Sequence, residues 1–157
     1  MSRKREALLE ELFAELRLEQ EATRAFDDAA ADLLGINPTD LRCLGVLDRR
    51  GAVTATELAR EARLTTGATT ALIDRLERAG YVRRVRDERD RRRVYVELTD
   101  RAREEIGRIW GPLGKEGQEV AARYSDEELA LIVEYLRTSR GVLARHLERL
   151  ESMGKSR

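Results

Sequence analysis

Apolar side chains return every three or four positions across residues 6–34. Leu8, Leu9, Leu12, Phe13, Leu16, Phe26, Ala30, Leu33 and Leu34 line one stripe of a largely acidic segment, a spacing that predicts a single long helix. Gly35 stands where such a helix would end in a left-handed residue. Asn37, Pro38 and Asp40 then read as the N-cap, first and third positions of a second helix running to about Arg50. Its inner stripe is Leu41, Leu44 and Leu47, flanked by Cys43 and Val46, and Gly51 ends it. Thr54-Ala55-Thr56-Glu57 has the form of a capping box opening a short third helix to about Ala62, with Val53 placed to staple onto Leu58. Thr65 caps a fourth helix, residues 66–79, which Gly80 terminates. Two helices joined by a turn of about three residues have helix-turn-helix spacing.

After Gly80 the period changes. Val94, Val96 and Leu98 alternate with Tyr95 and Glu97 as in a half-buried strand, and residues 81–86 supply a partner strand. Between them lies Asp87-Glu88-Arg89-Asp90-Arg91-Arg92-Arg93, a hairpin tip too hydrophilic for a core. Thr99 caps a fifth helix from about 100 to 123, expected to break or bend near Gly111-Pro112. Ser125-Asp126-Glu127-Glu128 is a further capping box. It opens a sixth helix that carries Leu129, Ile132, Val133, Leu136, Val142, Leu143, Leu147 and Leu150. No internal repeat or low-complexity linker interrupts the 157 residues, so they read as one domain with helical extensions.

Composition narrows the chemistry. With one cysteine and one histidine, cysteine-based zinc clusters, disulfides and nucleophile–histidine pairs are poorly supplied. No phosphate-binding loop or metal motif appears, so no catalytic residue, metal or cofactor is assigned and an enzyme is not expected. No apolar stretch is long enough for a membrane span. The N-terminus lacks the apolar core of a signal peptide, which makes a cytoplasmic location with no membrane partner the expectation.

The formal net charge is zero, from 30 basic and 30 acidic groups, but the distribution is uneven. Residues 1–40 carry 5 basic against 10 acidic groups, whereas residues 60–93 carry 11 against 6, and all 11 are arginine. Local field outweighs the sum, so an anionic partner stays open. On a helical wheel Ala68, Leu72, Leu76 and Ala79 fall on one side of the fourth helix, opposite Thr66, Gly67, Thr70, Asp74, Glu77 and Arg78. The first two turns of that outer face are small and hydrogen-bonding, suited to a major groove about 12 Å wide, although an ordinary capped surface helix would look the same. The tip puts four arginines into Arg89–Arg93, an arrangement that repels itself unless an anion absorbs the charge. Asp90 can brace Arg92 in the extended form that enters a narrow minor groove. Finally, the apolar stripes of the terminal helices would leave a large exposed patch on a monomer, which a symmetric dimer would bury.

The stretch Leu64-Thr-Thr-Gly-Ala-Thr-Thr-Ala-Leu-Ile-Asp-Arg-Leu-Glu-Arg-Ala-Gly80, followed by Asp90-Arg-Arg-Arg-Val-Tyr-Val-Glu-Leu-Thr99, closely resembles the MarR family of winged helix-turn-helix regulators. The family's wing signature falls on Asp90, Arg92, Leu98 and Thr99, and the order and lengths of the elements match over the whole chain. A position that is often glycine in the family is Ala102 here. The resemblance implies a mainly α fold with a small β-hairpin wing: six helices, a winged helix-turn-helix core over 36–99, and dimerisation helices over 1–35 and 100–157. It also implies a homodimer on double-stranded DNA, with a recognition helix in the major groove and Arg92 in the flanking minor groove. The function so implied is a ligand-responsive repressor on a pseudo-palindromic operator. Thr65, Thr66, Gly67, Thr69 and Thr70 are the candidates for bases or nearby phosphates. Arg75 and Arg78 are the candidates for the backbone, and Asp90 and Arg92 for the wing contact. The alternative is a helical dimer using the winged module for protein–protein contact, but the tip offers no apolar anchor for that. Cys43 reads as a buried, inert thiol, with oxidant sensing as the alternative. Trp110 either fills the dimer core or lines a site for a small aromatic or phenolic ligand. His146 belongs to a helix surface or the dimer interface.

Overall fold

The computed structural model describes residues 2–87, 90 and 93–155; of Lys155 only the backbone is described. The chain forms α1 (Arg3–Leu34), α2 (Pro38–Arg50), β1 (Val53–Thr54), α3 (Ala55–Ala62), α4 (Thr66–Arg78), β2 (Val82–Arg86), β3 (Val94–Leu98), α5 (Asp100–Ala121) and α6 (Asp126–Lys155). This is the six-helix fold with a small antiparallel sheet that the sequence implies. Two compact units result, Met1–Ile109 and Trp110–Arg157.

In the first unit, side-chain caps set the helix starts. The Asn37 side chain accepts from the Asp40 amide at 2.9 Å, with Pro38 in the first turn of α2. Thr54 and Glu57 close the capping box of α3 reciprocally. Left-handed residues set the ends: Gly35 stops α1 at φ 66° and Gly80 follows α4 at φ 79°. Arg63 takes the same left-handed conformation at φ 55° after α3, and the tight turn to Thr65 follows. Leu44, Leu47, Leu58, Leu72, Ile73, Leu76, Val82 and Val96 are the large side chains of the core, each at most 2 % exposed. They join α2, α3, α4 and the sheet around one apolar centre, which the C-terminal turns of α1 (Ala30, Ala31, Leu34) also reach.

The sheet has the order β1-β3-β2 and is antiparallel throughout, with Val82 opposite Leu98 and Arg86 opposite Val94. Sequence reading misses β1. Its two residues are too short for an alternating pattern, and Val53 is a strand residue opposite Val96. Tyr81 ties the sheet to the helices: its hydroxyl donates to the Leu34 carbonyl at 2.9 Å, and Arg101 lies 5.0 Å above its ring. Thr99 donates to the Gly80 carbonyl at 2.7 Å and accepts from the Ala102 amide, so the Leu-Thr pair closes the hairpin and caps α5.

Of the break or bend expected near Gly111-Pro112, the break does not occur: α5 runs through Pro112 to Ala121. A proline removes a single N–H···O bond and crowds one carbonyl, a local cost that a helix of 22 residues absorbs. In the second unit, α6 opens with the expected reciprocal pair, Ser125 to Glu128. No helix is long and apolar enough to cross a membrane among the described residues.

Candidate nucleic-acid interface

The N-terminal half of α4 is built as an open face. Thr65 caps it by accepting from the Ala68 amide, and Thr65, Thr66, Gly67, Ala68, Thr70 and Ala71 are exposed. The first turn holds no acidic side chain, so the positive end of the helix dipole is left for an outside anion. A methyl group added at Gly67 would meet nothing within 4 Å, and Gly67 has no positive φ. The fold itself therefore makes no demand for glycine there. The Thr70 hydroxyl donates to the Thr66 carbonyl at 3.1 Å, which leaves its oxygen able to accept from a partner.

Two expected contacts fall differently. Thr69 is only 1 % exposed and donates to the Thr65 carbonyl at 2.9 Å, so it faces the core rather than DNA. The buried stripe is Thr69, Leu72, Ile73 and Leu76, while Ala68 is exposed. A wheel that leaves out Ile73 misplaces the stripe by roughly 50°, half a residue step. Gly67, Ala71, Asp74 and Arg78 become the outermost line, and Ala71 joins the face, a residue that the pattern hid. Arg75, expected on the DNA backbone, instead forks onto Asp40 of α2. Its Nη2 lies 2.7 Å from Oδ1 and its Nε 3.2 Å from Oδ2. That pairing raises the Arg75 pKa, chiefly through the hydrogen bond. The reason is burial: Asp40 is 3 % exposed, and a carboxylate withdrawn from water draws the nearest guanidinium.

The acidic groups on the outer face of α4 are also spoken for. Arg84, on β2, reaches Asp74 at 2.5 Å through Nη2 and Glu77 through Nη1, and its backbone N–H donates to Glu77 as well. Its pKa is raised, first by the hydrogen bond to Asp74. Arg83 pairs across the strands with its register partner Glu97 at 2.7 Å. Arg78 is exposed, with Nε on the Asp74 carbonyl at 3.2 Å. The basic block of the sequence is therefore partly consumed inside the fold. At the hairpin tip, Asp90 donates its amide to the Asp87 side chain at 3.1 Å, and its carbonyl accepts from the Arg93 amide at 2.8 Å. Arg92, with Glu88, Arg89 and Arg91, lies outside the described residues.

The remaining candidates sit elsewhere. Cys43 is fully buried, and burial pushes its thiol up from an ordinary value near 9 to about 11, with Asp40 adding to the shift. The folded chain thus keeps a proton that the unfolded chain loses above pH 9. The stability owed to this group is complete below pH 9 and disappears as pH rises to about 11. Cys43→Ala should flatten that fall in a pH series of unfolding curves, and peroxide should not release DNA from either protein. Trp110 is half-buried, and a groove along α5 lined by Pro112, Lys115, Glu116, Glu119, Val120 and Arg123 does not include it. His146 is exposed on α6.

Known proteins resemble this chain in sequence and in fold. A sequence profile of the MarR family matches residues 34–93. The uncharacterized HTH-type transcriptional regulator YcgE of Bacillus subtilis is 40 % identical over 82 % of this chain and 84 % of its own. Among solved structures, a MarR family protein from Bacillus stearothermophilus is similar with a TM-score of 0.65 and 28 % identity, over 92 % of this chain and 99 % of that one. A S. aureus MepR mutant bound to an oligodeoxyribonucleotide shares the fold at a TM-score of 0.58 and 20 % identity, over 84 % of this chain and 97 % of its own.

Proposed function

Because this chain belongs to the MarR family of HTH-type transcriptional regulators, we propose that it binds a pseudo-palindromic operator as a cytoplasmic homodimer and represses until a small ligand releases it. The observation that carries the DNA reading is the first half of α4. It has an exposed, unacidic helix start, the exposed threonines Thr66 and Thr70, and a Gly67 that nothing inside the fold requires. Thr65, Thr66, Gly67, Thr70 and Ala71 then face bases and nearby phosphates, and Arg78 lies toward the backbone. In the wing, Arg92 enters the minor groove with Asp90 as its brace. The proposal assigns no catalytic residue, cofactor or metal.

Selection of bound duplexes from random DNA, with and without a phenolic acid such as salicylate, tests operator and ligand together. Recovery of no shared sequence would end the operator reading. A panel of such acids that changes neither Trp110 fluorescence nor affinity would end the ligand reading.

Arg92→Ala should remove one cationic contact from each protomer. Affinity for the selected duplex should fall by about 1–3 kcal/mol, and the slope of log affinity against log salt should shrink by roughly 2. Thr70→Ala should instead blunt discrimination between the selected and random duplexes at an unchanged slope, since a hydroxyl displaces no counterion. Parental affinity and slope in Arg92→Ala would favour the wing as a protein contact.

A further inference from the structure

We infer that Arg84 is a positioning residue for DNA binding that acts through Asp74 and Glu77, holding the two carboxylates of α4 in an ion-pair cluster so that phosphates can come close. This rests on the DNA reading above. Spacings of four and three residues put Gly67, Ala71, Asp74 and Arg78 in one line along the outermost edge of α4. A helix that enters a groove by its first turns carries Asp74 and Glu77 toward the flanking phosphates, where bare carboxylates repel. Arg84 answers them from the sheet. Side chains alternate along β2, so Arg84 shares a face with the buried Val82, the face packed toward α4, and Arg83 turns the other way to Glu97. From there it makes two side-chain ion pairs and one backbone hydrogen bond to the two acids.

Magnitudes decide what the cluster is for. Side-chain exposures of 34 % for Arg84, 49 % for Asp74 and 39 % for Glu77 place all three in solvent reach, where ion pairs add little to folding. Their effect on an approaching polyanion is larger, because without Arg84 the cluster changes from one net negative charge to two in each protomer.

The test measures binding of a fluorescent duplex recovered by the random-DNA selection, with thermal unfolding of each variant alongside. Arg84→Ala should bind on the order of tenfold more weakly and unfold close to the parent. Asp74→Asn with Glu77→Gln should bind at least as tightly as the parent, and the triple variant should regain parental affinity. Parental affinity in Arg84→Ala overturns the inference. So does a triple variant as weak as Arg84→Ala, which would make Arg84 itself a phosphate contact. If Arg84→Ala does not fold, Arg84→Met keeps the aliphatic stem and serves the same comparison. Failure of both to fold would assign Arg84 to the core and also overturn it. A parent that binds no duplex overturns the DNA reading, and this inference with it.

Discussion

Removing residues 125–157 is expected to convert a dimer into a monomer at micromolar concentration and to weaken operator binding by about a hundredfold or more. Along α6, Leu131, Ile132, Val133, Leu136, Val142, Leu143, Leu147, Leu150 and Met153 are all exposed, several of them by more than half. None of the described residues of α6 is buried. Such a stripe on one helix is far more apolar surface than a monomer ordinarily shows to water, and a second copy is the partner proposed to cover it. Among the described residues the buried side chains, by contrast, all lie between Ala30 and Ala102. The shortened chain therefore keeps its core, and its unfolding should stay cooperative. What it would lose, on the homodimer proposal, is the link between two half-site binders, and linkage of this kind commonly contributes a factor of about 10²–10⁴. Sedimentation and titration of the selected duplex read the two effects separately. A truncated chain that remains dimeric would place the interface on α1 or α5 alone.

The helix boundaries were legible because they rest on local chemistry. Asn37, Thr54, Thr65 and Ser125 are caps whose partners lie three residues away, and Gly35, Gly51 and Gly80 supply the positive φ that ends helices. The two hairpin strands were legible from the alternation in β3 and the change of period after Gly80, though the register that pairs Val82 with Leu98 was not. Three features were not. β1 is two residues long and exists only through its pairing with β3. Thr69 looks like its neighbours Thr66 and Thr70, and only the position of Ile73 against the core shows that it points inward. Most of all, the partners of Arg75 and Arg84 are distant in sequence or on another element. Asp40 is 35 residues from Arg75, and Arg84 reaches across from a strand to a helix. A count of arginines sees a uniform basic block, and the fold divides it into charges held internally and charges left outside.

Arg75 is where that division has its largest expected effect on stability. The guanidinium forks onto Asp40, whose own side chain is 5 % exposed, whereas that of Arg75 is 44 % exposed. Truncating the arginine strands a carboxylate that cannot follow it into water, since Asp40 is fixed in the first turn of α2 with its amide on Asn37. Loss of one partner of a fully buried pair costs about 3–5 kcal/mol. Two features reduce that here: Arg75 is partly solvated already, and the N-terminus of α2 favours a negative charge beside it. Arg75→Ala should therefore destabilise by about 2 kcal/mol, a fall in melting temperature of roughly 4–8 °C for a chain of this size. Arg78→Ala, on the exposed side of the same helix turn, should stay within about 0.5 kcal/mol of the parent. Arg75→Lys should fall between, because an ammonium cannot fork across both carboxylate oxygens. Adding Asp40→Asn to Arg75→Ala should recover part of the loss, since it removes the stranded charge. Duplex binding supplies the contrary outcome. If Arg75→Ala unfolds like the parent but binds DNA more weakly with a smaller salt slope, Arg75 is a phosphate contact after all, and Asp40 only holds it in place.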